Sequence, residues 1–308
     1  MKDVERRGFY CDDQRQEPLS GSANRLKTPI RSVYRNVEHE YETINAQTLT
    51  EANQKRLVKD TIFAEFNRYC DVLPFRENIV KLDDCDVVHL GNYINANFIG
   101  HPFRGEDKSF IASQAPMKST MESFCRMVIK HKTEILIAII NKKEDLQRYF
   151  NYWCTSESYG NHKIIVKNSI QGGNFVRLST LVFVDDQSCV EQHVSHFHVF
   201  NWQDYCALRK NQLSEFVALL RYLFKRKETI KSPIVAHCSA GIGRTLTFIC
   251  CYYLMEQNMA AKNHEGIKKY SVKGLVNGLR EQRYNAINTL KQYKFLYEVV
   301  HFLQEEAE

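Results

Sequence analysis

No stretch of this 308-residue chain is apolar for long enough to cross a bilayer. Its longest apolar runs, near residues 135–140 and 246–255, fall well short of the roughly 20 residues a membrane-spanning helix needs. The N-terminus, Met1-Lys2-Asp3-Val4-Glu5-Arg6-Arg7, has no apolar segment behind it, which argues against a secretory leader. Lysine at position 2 excludes myristoylation, and the Glu-rich C-terminus carries no prenylation box. The ten cysteines lack the paired spacing of a zinc site or a small disulfide framework. A reduced cytosolic or nuclear setting is therefore expected, the cytoplasm first, with most of these cysteines acting as small buried hydrophobes. There is no internal repeat, and no Gly- or Ser-rich linker after residue 40 to divide the chain. A dominant charge is missing too: the formal net charge of +6 is spread along the chain rather than packed into one tract. A mildly basic surface suits phosphorylated peptides, nucleic acid and acidic lipid alike, and charge alone does not choose among them.

What is present reads as one domain after a polar lead-in. Residues 1–40 have the composition of a tail, with Pro18, Ser20, Gly21 and Ser22 in a low-apolar stretch. The domain is expected over 41–308. Apolar positions recur near helical spacing over 38–66, which predicts one or two helices there. A strand-rich middle follows, with short β-branched or aromatic runs at 87–90, 110–112, 134–140, 163–166, 175–183 and 193–200. Residues 121–131 read as a helix between two of these. From Asn211 onward the pattern is helical, broken by the apolar run Ser232-Pro233-Ile234-Val235-Ala236, which reads as a buried strand. Strands mixed with helices predict an α/β or α+β domain.

The decisive segment is His237-Cys238-Ser239-Ala240-Gly241-Ile242-Gly243-Arg244-Thr245, between that strand and the helix starting near Thr245. A short loop in this position can curl its backbone N–H groups inward, and the helix N-terminus adds unpaired donors and positive dipole. The outcome is a cradle for one phosphate. Gly241 and Gly243 permit the tight or positive-φ backbone it needs. Arg244 offers a planar fork that grips two phosphoryl oxygens at once. Cys238 sits at the base of the cradle, where inward dipoles and Arg244 favour the thiolate, the nucleophilic form of cysteine. Thr245 can donate a hydrogen bond to that sulfur.

This segment resembles the His-Cys-x5-Arg-Ser/Thr signature of the protein tyrosine phosphatases, in the form common in their tyrosine-specific branch. Further segments follow in the family's order over about residues 60 to 300. Asn67-Arg68-Tyr69-Cys70-Asp71-Val72-Leu73-Pro74-Phe75 resembles the phosphotyrosine-recognition loop. There Tyr69 can stack on the substrate ring and Asp71 can accept peptide N–H groups. Tyr93-Ile94-Asn95-Ala96-Asn97 resembles a structural segment of the family, and Phe110-Ile111-Ala112-Ser113-Gln114-Ala115-Pro116 its Tyr-Ile-Ala-Thr-Gln-Gly-Pro. Trp202-Gln203-Asp204 resembles the mobile Trp-Pro-Asp loop. The stretch from Gln282-Arg283 through Asn288-Thr289-Leu290-Lys291-Gln292 resembles the loop that positions water.

The resemblance implies a single α/β domain, a highly twisted mixed sheet flanked by helices with the phosphate loop at a strand's C-terminal end. It implies hydrolysis of phosphotyrosine in proteins with no metal and no cofactor, by a monomer that binds phosphotyrosine proteins, not nucleic acid. Cys238 is then the nucleophile and Asp204 the general acid and later base. Gln292 and Asn288 orient the hydrolytic water, and His237 supports the thiolate. Ser239, Ala240, Gly241, Ile242 and Gly243 join Arg244 in holding the phosphate. Arg148, with Glu144 as a carboxylate partner, falls near a basic residue that contacts the acid loop.

Four positions depart from the family pattern: Gln203 for the loop proline, Asn288 for a water-positioning glutamine, Leu246 for a glycine after the cradle and Ala115 for a second packing glycine. A slower enzyme is one expectation. The other is a pseudophosphatase that binds and sequesters phosphotyrosine proteins. Phosphatases of mRNA caps or phosphoinositides share the cradle, but neither explains Tyr69 and Asp71. The compact chain and divergent loops also resemble the tyrosine phosphatases of polydnaviruses (bracoviruses), which implies host–virus interaction and interference with host phosphotyrosine signalling.

Overall fold

The computed structural model describes residues 30–105, 107–141, 151–154, 156–262 and 270–306. Glu144, Arg148 and the tail before residue 30 lie outside them. Helices α1 (Ile30–Thr48) and α2 (Glu51–Arg56) precede strands β1 (Ile79–Lys81), β2 (Tyr93–Ile99) and β3 (Phe110–Ser113). Helix α3 (Met121–Lys130) leads into β4 (Ile135–Ile139), β5 (Glu157–Tyr159), β6 (His162–Gly172), β7 (Val176–Asp185) and β8 (Val190–Val199). Then come α4 (Leu213–Lys227), β9 (Ile234–His237), α5 (Arg244–Lys262), α6 (Val272–Arg280) and α7 (Leu290–Glu305).

Among the described residues the strands form one nine-stranded mixed sheet in the order β1-β2-β3-β9-β4-β8-β7-β6-β5. Its centre, β3-β9-β4-β8, is parallel, and both flanks are antiparallel. Parallel central strands are buried on both faces, so their side chains divide by the two-residue period between two apolar layers. Ile135, Ile137 and Ile139 of β4 and Ile234 and Ala236 of β9 join the core shared with α1 and α4 to α7. Leu136, Ala138 and Val235 face the other way, onto Phe124, Met127 and Val128 of α3. Helix α5 packs against β3, β9, α4, α6 and α7, and its first twelve residues, 244–255, are almost all buried. A helix apolar on every side fits only such a central position.

Three expectations change. Residues 30–40 are not all tail, because α1 runs through them. Val37, Tyr41 and Ile44 form its buried stripe, and Lys294 Nζ donates to Glu38 Oε1 at 2.5 Å. The run at 87–90 is no strand. Asn92 Nδ2 donates to Asp83 Oδ1 and to Val87 O, and Asn92 Oδ1 accepts from His89 N, so side-chain bonds take the place of a ladder and leave Val87 and Leu90 exposed. Burial is also not the common fate of cysteine: Cys125, Cys238, Cys250 and Cys251 are buried, while Cys70, Cys85, Cys154 and Cys189 are exposed.

Candidate active site

Strand β9 ends at His237 and α5 begins at Arg244, so residues 238–243 form a loop at the C-terminal edge of the central parallel strands. Four successive carbonyls of this loop are bonded from outside. Ser239 O accepts from Ala115 N at 2.9 Å, and Ile242 O from Ile287 N at 2.9 Å. Ala240 O and Gly241 O accept from Arg283 Nη2 and Nε, each at 3.2 Å. With its carbonyls held by surrounding groups, the loop is left to present its amide edge to the cleft. Gly241 has φ +72°, and a Cβ there would lie 2.2 Å from Ser113 O, so glycine is required on both counts.

Arg283 organises this shell. It is fully buried, and its Nη1 and Nη2 also donate to the side-chain oxygens of Asn97 and Asn95 at 2.8 Å. Burial pulls its guanidinium down to about 10, while the nearby Tyr93 and Cys238 oppose that shift. Asn95 in turn donates to Asn67 Oδ1 and to Val72 O, both at 2.7 Å, and so fastens both ends of the 67–72 loop. Strand β2 thereby ties the 67–72 loop to the 238–243 loop through its polar side chains.

Tyr69, Asp71, Asp204, Cys238, Ser239, Ala240, Ile242, Gly243 and Asn288 all line one cleft of about 160 Å³. Cys238 is buried at 2 % exposure, and the Tyr69 hydroxyl lies 2.6 Å from Ser239 Oγ. Arg244 is fully buried; its Nη1 donates to Trp202 O at 3.1 Å, and its Nη2 pairs with Asp204 Oδ1 at 3.1 Å. Asp204 keeps 31 % side-chain exposure. Trp202 is itself buried and donates from Nε1 to Cys206 O at 2.9 Å, a bond that closes the 202–206 loop on itself. Gln292 is buried with neither amide atom hydrogen-bonded among the described residues, and a Cβ on Gly243 would lie 2.8 Å from Asn288 Oδ1 and 2.9 Å from Gln292 Nε2. Both amides therefore lie against the phosphate loop, and Gly243 is needed for that approach.

The protein-tyrosine phosphatase family model matches residues 63–302. The chain belongs to the protein-tyrosine phosphatase family. It is 30 % identical over 282 residues to tyrosine phosphatase H2 of Microplitis demolitor bracovirus, covering 86 % of this chain and 82 % of that protein. It is also 30 % identical over 264 residues to a receptor-type tyrosine-protein phosphatase of Caenorhabditis elegans, covering 76 % of this chain but 18 % of that one. The catalytic domain of human protein tyrosine phosphatase non-receptor type 18 superposes with a TM-score of 0.75 at 21 % identity, over 89 % of this chain and 98 % of that domain. At that identity the likeness is one of fold.

The phosphatase's departures from the family pattern are absorbed locally. Leu246 is fully buried in the main core, and Thr247 N still donates to Gly243 O at 2.9 Å, so the helix start is regular. Ala115 is buried and its N–H holds Ser239 O, a bond that alanine and glycine make alike. Gln203 is exposed and its carbonyl accepts from Cys206 N at 3.3 Å. Thr245 is fully buried, its Oγ1 without a hydrogen-bond partner among the described residues.

His237 joins the phosphate loop to the far layer. Its Nδ1 lies 3.3 Å from Cys238 O and its Nε2 lies 2.7 Å from Tyr152 OH. Burial pushes the imidazole down to about 3, so the ring is neutral. A carbonyl only accepts, so Nδ1 carries the proton and Nε2 accepts from Tyr152. Sequence reading gave no role to Tyr152, and placed Asn95 and Arg283 only within longer segments that resemble the family's. It also passed over Tyr205, an exposed cleft residue at φ +58° whose carbonyl accepts from Thr289 Oγ1 at 3.2 Å. Its position directly after Asp204 was the available signal.

Proposed function

We propose that this phosphatase hydrolyses phosphotyrosine in proteins through a phosphocysteine intermediate on Cys238, acting as a monomer. The observation that carries this is the convergence of Cys238, Arg244 and Asp204 on a cleft with Tyr69 and Asp71 in its wall. The phosphate dianion takes the Arg244 guanidinium from Asp204 and settles on the loop amides of 239–243, which stabilise the charge of the transferring group. Freed from the guanidinium, Asp204 takes up a proton from solvent; the Cys238 sulfur attacks phosphorus, the bond from phosphorus to the tyrosyl oxygen breaks, and Asp204 gives its proton to that oxygen. Water oriented by Gln292 and Asn288 then attacks phosphorus and yields its proton to ionised Asp204. The S–P bond breaks, its electrons return to sulfur, and inorganic phosphate leaves. Thr245 donates a hydrogen bond to the departing thiolate.

A solved structure of the non-receptor type 18 phosphatase is of its complex with a HER2 phosphotyrosine peptide, which supports the same substrate class here. The similarity to a bracovirus phosphatase supports placing the activity in the cytoplasm of an infected host cell, against its phosphotyrosine signalling.

Turnover of a phosphotyrosine peptide by the purified chain tests this, beside Cys238→Ser and a phosphoserine peptide. Release of phosphate from phosphotyrosine alone, abolished by Cys238→Ser, is expected. Tight peptide binding without release would overturn it in favour of a sequestering module. For the cellular setting, Asp204→Ala should retain phosphotyrosine proteins from insect haemocyte lysate, and retention of none would count against it.

A further inference from the structure

We infer that Arg280, anchored by Asn45 and Thr48 of α1, is a positioning residue that holds the water-orienting loop in shape and thereby sets the rate of phosphoenzyme hydrolysis. The inference rests on the hydrolytic reading above. It begins with backbone strain. Asn285 and Ile287 both stand at φ +55°, in the left-handed region. Asparagine enters that region readily, but a β-branched isoleucine does so only under strain. Such a conformation persists only where its surroundings over-determine it.

Arg280 supplies that constraint. It is 2 % exposed, and it donates from Nε to Ala286 O at 2.8 Å and from Nη2 to Ile287 O at 3.1 Å. Its remaining Nη1 donates to Asn45 Oδ1 at 2.7 Å and to Thr48 Oγ1 at 2.9 Å. The planar guanidinium therefore spans two elements: one edge clasps the strained loop and the other is fixed on α1. On the loop's far side, Ile287 N donates to Ile242 O of the phosphate loop at 2.9 Å. Asn288 follows immediately, in the cleft wall and against Gly243. The chain of contacts runs from α1 through Arg280 to Ile287 and then to Asn288.

Two features make this a property of this chain. Asn45 and Thr48 precede the family match, which starts at residue 63, so the anchor comes from outside the matched domain. Asn288 is also one methylene shorter than the glutamine of the family pattern. A shorter amide has less reach to compensate for a shifted backbone, so its function depends more on the loop staying where Arg280 holds it.

The first chemical step uses Cys238, Arg244 and Asp204, none of which contacts Arg280. The second uses the water that Asn288 and Gln292 orient. Loosening the anchor should therefore slow the second step selectively. Thr48→Val removes one acceptor with little change of volume, Asn45→Ala removes the other, and Arg280→Lys keeps the charge but not the two-sided grip. Rapid-mixing kinetics of the full chain with p-nitrophenyl phosphate read the two steps separately: the burst reports phosphoenzyme formation and the steady state its hydrolysis. In the double variant Thr48→Val/Asn45→Ala the expected result is a kcat lower by about five- to tenfold, a larger burst, and kcat/KM within about twofold of wild type. A merely structural role would lower both parameters together through loss of folded protein.

Amide hydrogen exchange supplies a readout independent of activity. Exchange at Ile287 should quicken by about tenfold in the variant, while amides of β9 and α5 stay protected. If Ile287 exchange and the partition between steps are both unchanged in a folded variant, the inference fails. If the wild type forms no phosphoenzyme at all, the hydrolytic reading fails instead. Exchange at Ile287 then still decides whether Arg280 and α1 hold the loop.

Discussion

The carboxylate of Asp204 lies 3.1 Å from Nη2 of the buried Arg244, the cation that the cleft offers to a phosphate. On the proposed mechanism Asp204 and the substrate phosphate compete for one guanidinium, and phosphate binding frees the carboxylate to take up the proton it then donates. Replacing Asp204 by Asn removes the competitor. The inhibition constant of inorganic phosphate should fall by about two- to fivefold, the worth of a part-exposed ion pair. Turnover of a phosphotyrosine peptide should fall by about 10²- to 10⁴-fold in Asp204→Ala with binding retained. Phosphate inhibition that weakens in Asp204→Asn would show that the ion pair does not oppose the anion.

Tyr69 carries two separable contributions. Its hydroxyl meets Ser239 Oγ at 2.6 Å, and its ring forms cleft wall. Tyr69→Phe loses about 1 kcal/mol from one hydrogen bond and should change KM by less than about tenfold. Tyr69→Ala loses the stacking surface as well, so KM for phosphotyrosine peptide should rise by more than about tenfold and the preference over phosphoserine should narrow. Equal KM values for the Phe and Ala variants would locate the aromatic recognition elsewhere.

The segments that short motifs single out were legible in the sequence, and the structure brings them together. His237 through Thr245 encode a strand end, a glycine-dependent loop and a helix start within nine adjacent residues. The structure places Tyr69, Asp71, Asp204, Asn288 and Gln292 around that loop. Strands with an apolar run or an alternating apolar face, such as β4 and β8, were legible for the same reason: their pattern is local. Strand β2 was not, because Asn95 and Asn97 interrupt its apolar run and become satisfied only by partners far along the chain. Arg283 was illegible as a buried cation, since four acceptors from β2 and the phosphate loop must assemble before its burial costs little. The start of α1 was missed because Val37 is the one residue of its buried stripe that precedes the recurring apolar positions from residue 38 onward.

Arg283 gives the sharpest test of how the cradle is held. Substitution by Met fills much of the volume but leaves Asn95 Oδ1, Asn97 Oδ1, Ala240 O and Gly241 O without that donor. Each stranded buried acceptor costs about 1–3 kcal/mol before relaxation, so a loss of about 3 kcal/mol or more is expected in urea unfolding. The part still folded should bind phosphate poorly, since the loop carbonyls are no longer held away from the anion. A folded Arg283→Met with unchanged phosphate affinity would assign loop shape to the remaining bonds from Ala115 and Ile287.

Buried neutral histidines set the acid limit of the fold. Burial pushes His237 down to about 3, and fully buried His196 is also held well below the usual imidazole value. An unfolded chain protonates both near pH 6.5, so below that pH the unfolded state binds more protons and stability falls as pH falls. The loss begins near pH 6.5 and for His237 continues toward pH 3, at about 1.4 kcal/mol per pH unit for each histidine that stays neutral in the fold. Urea midpoints at pH 7, 6 and 5 should therefore decline. His237→Asn should remove one proton's worth of that slope while lowering stability at pH 7 through loss of the Tyr152 bond. Parallel pH slopes for wild type and variant would mean that His237 takes up a proton in the native state. Its Nε2 could then no longer accept from Tyr152, and the bond that links the phosphate loop to the far layer would have to open on acidification.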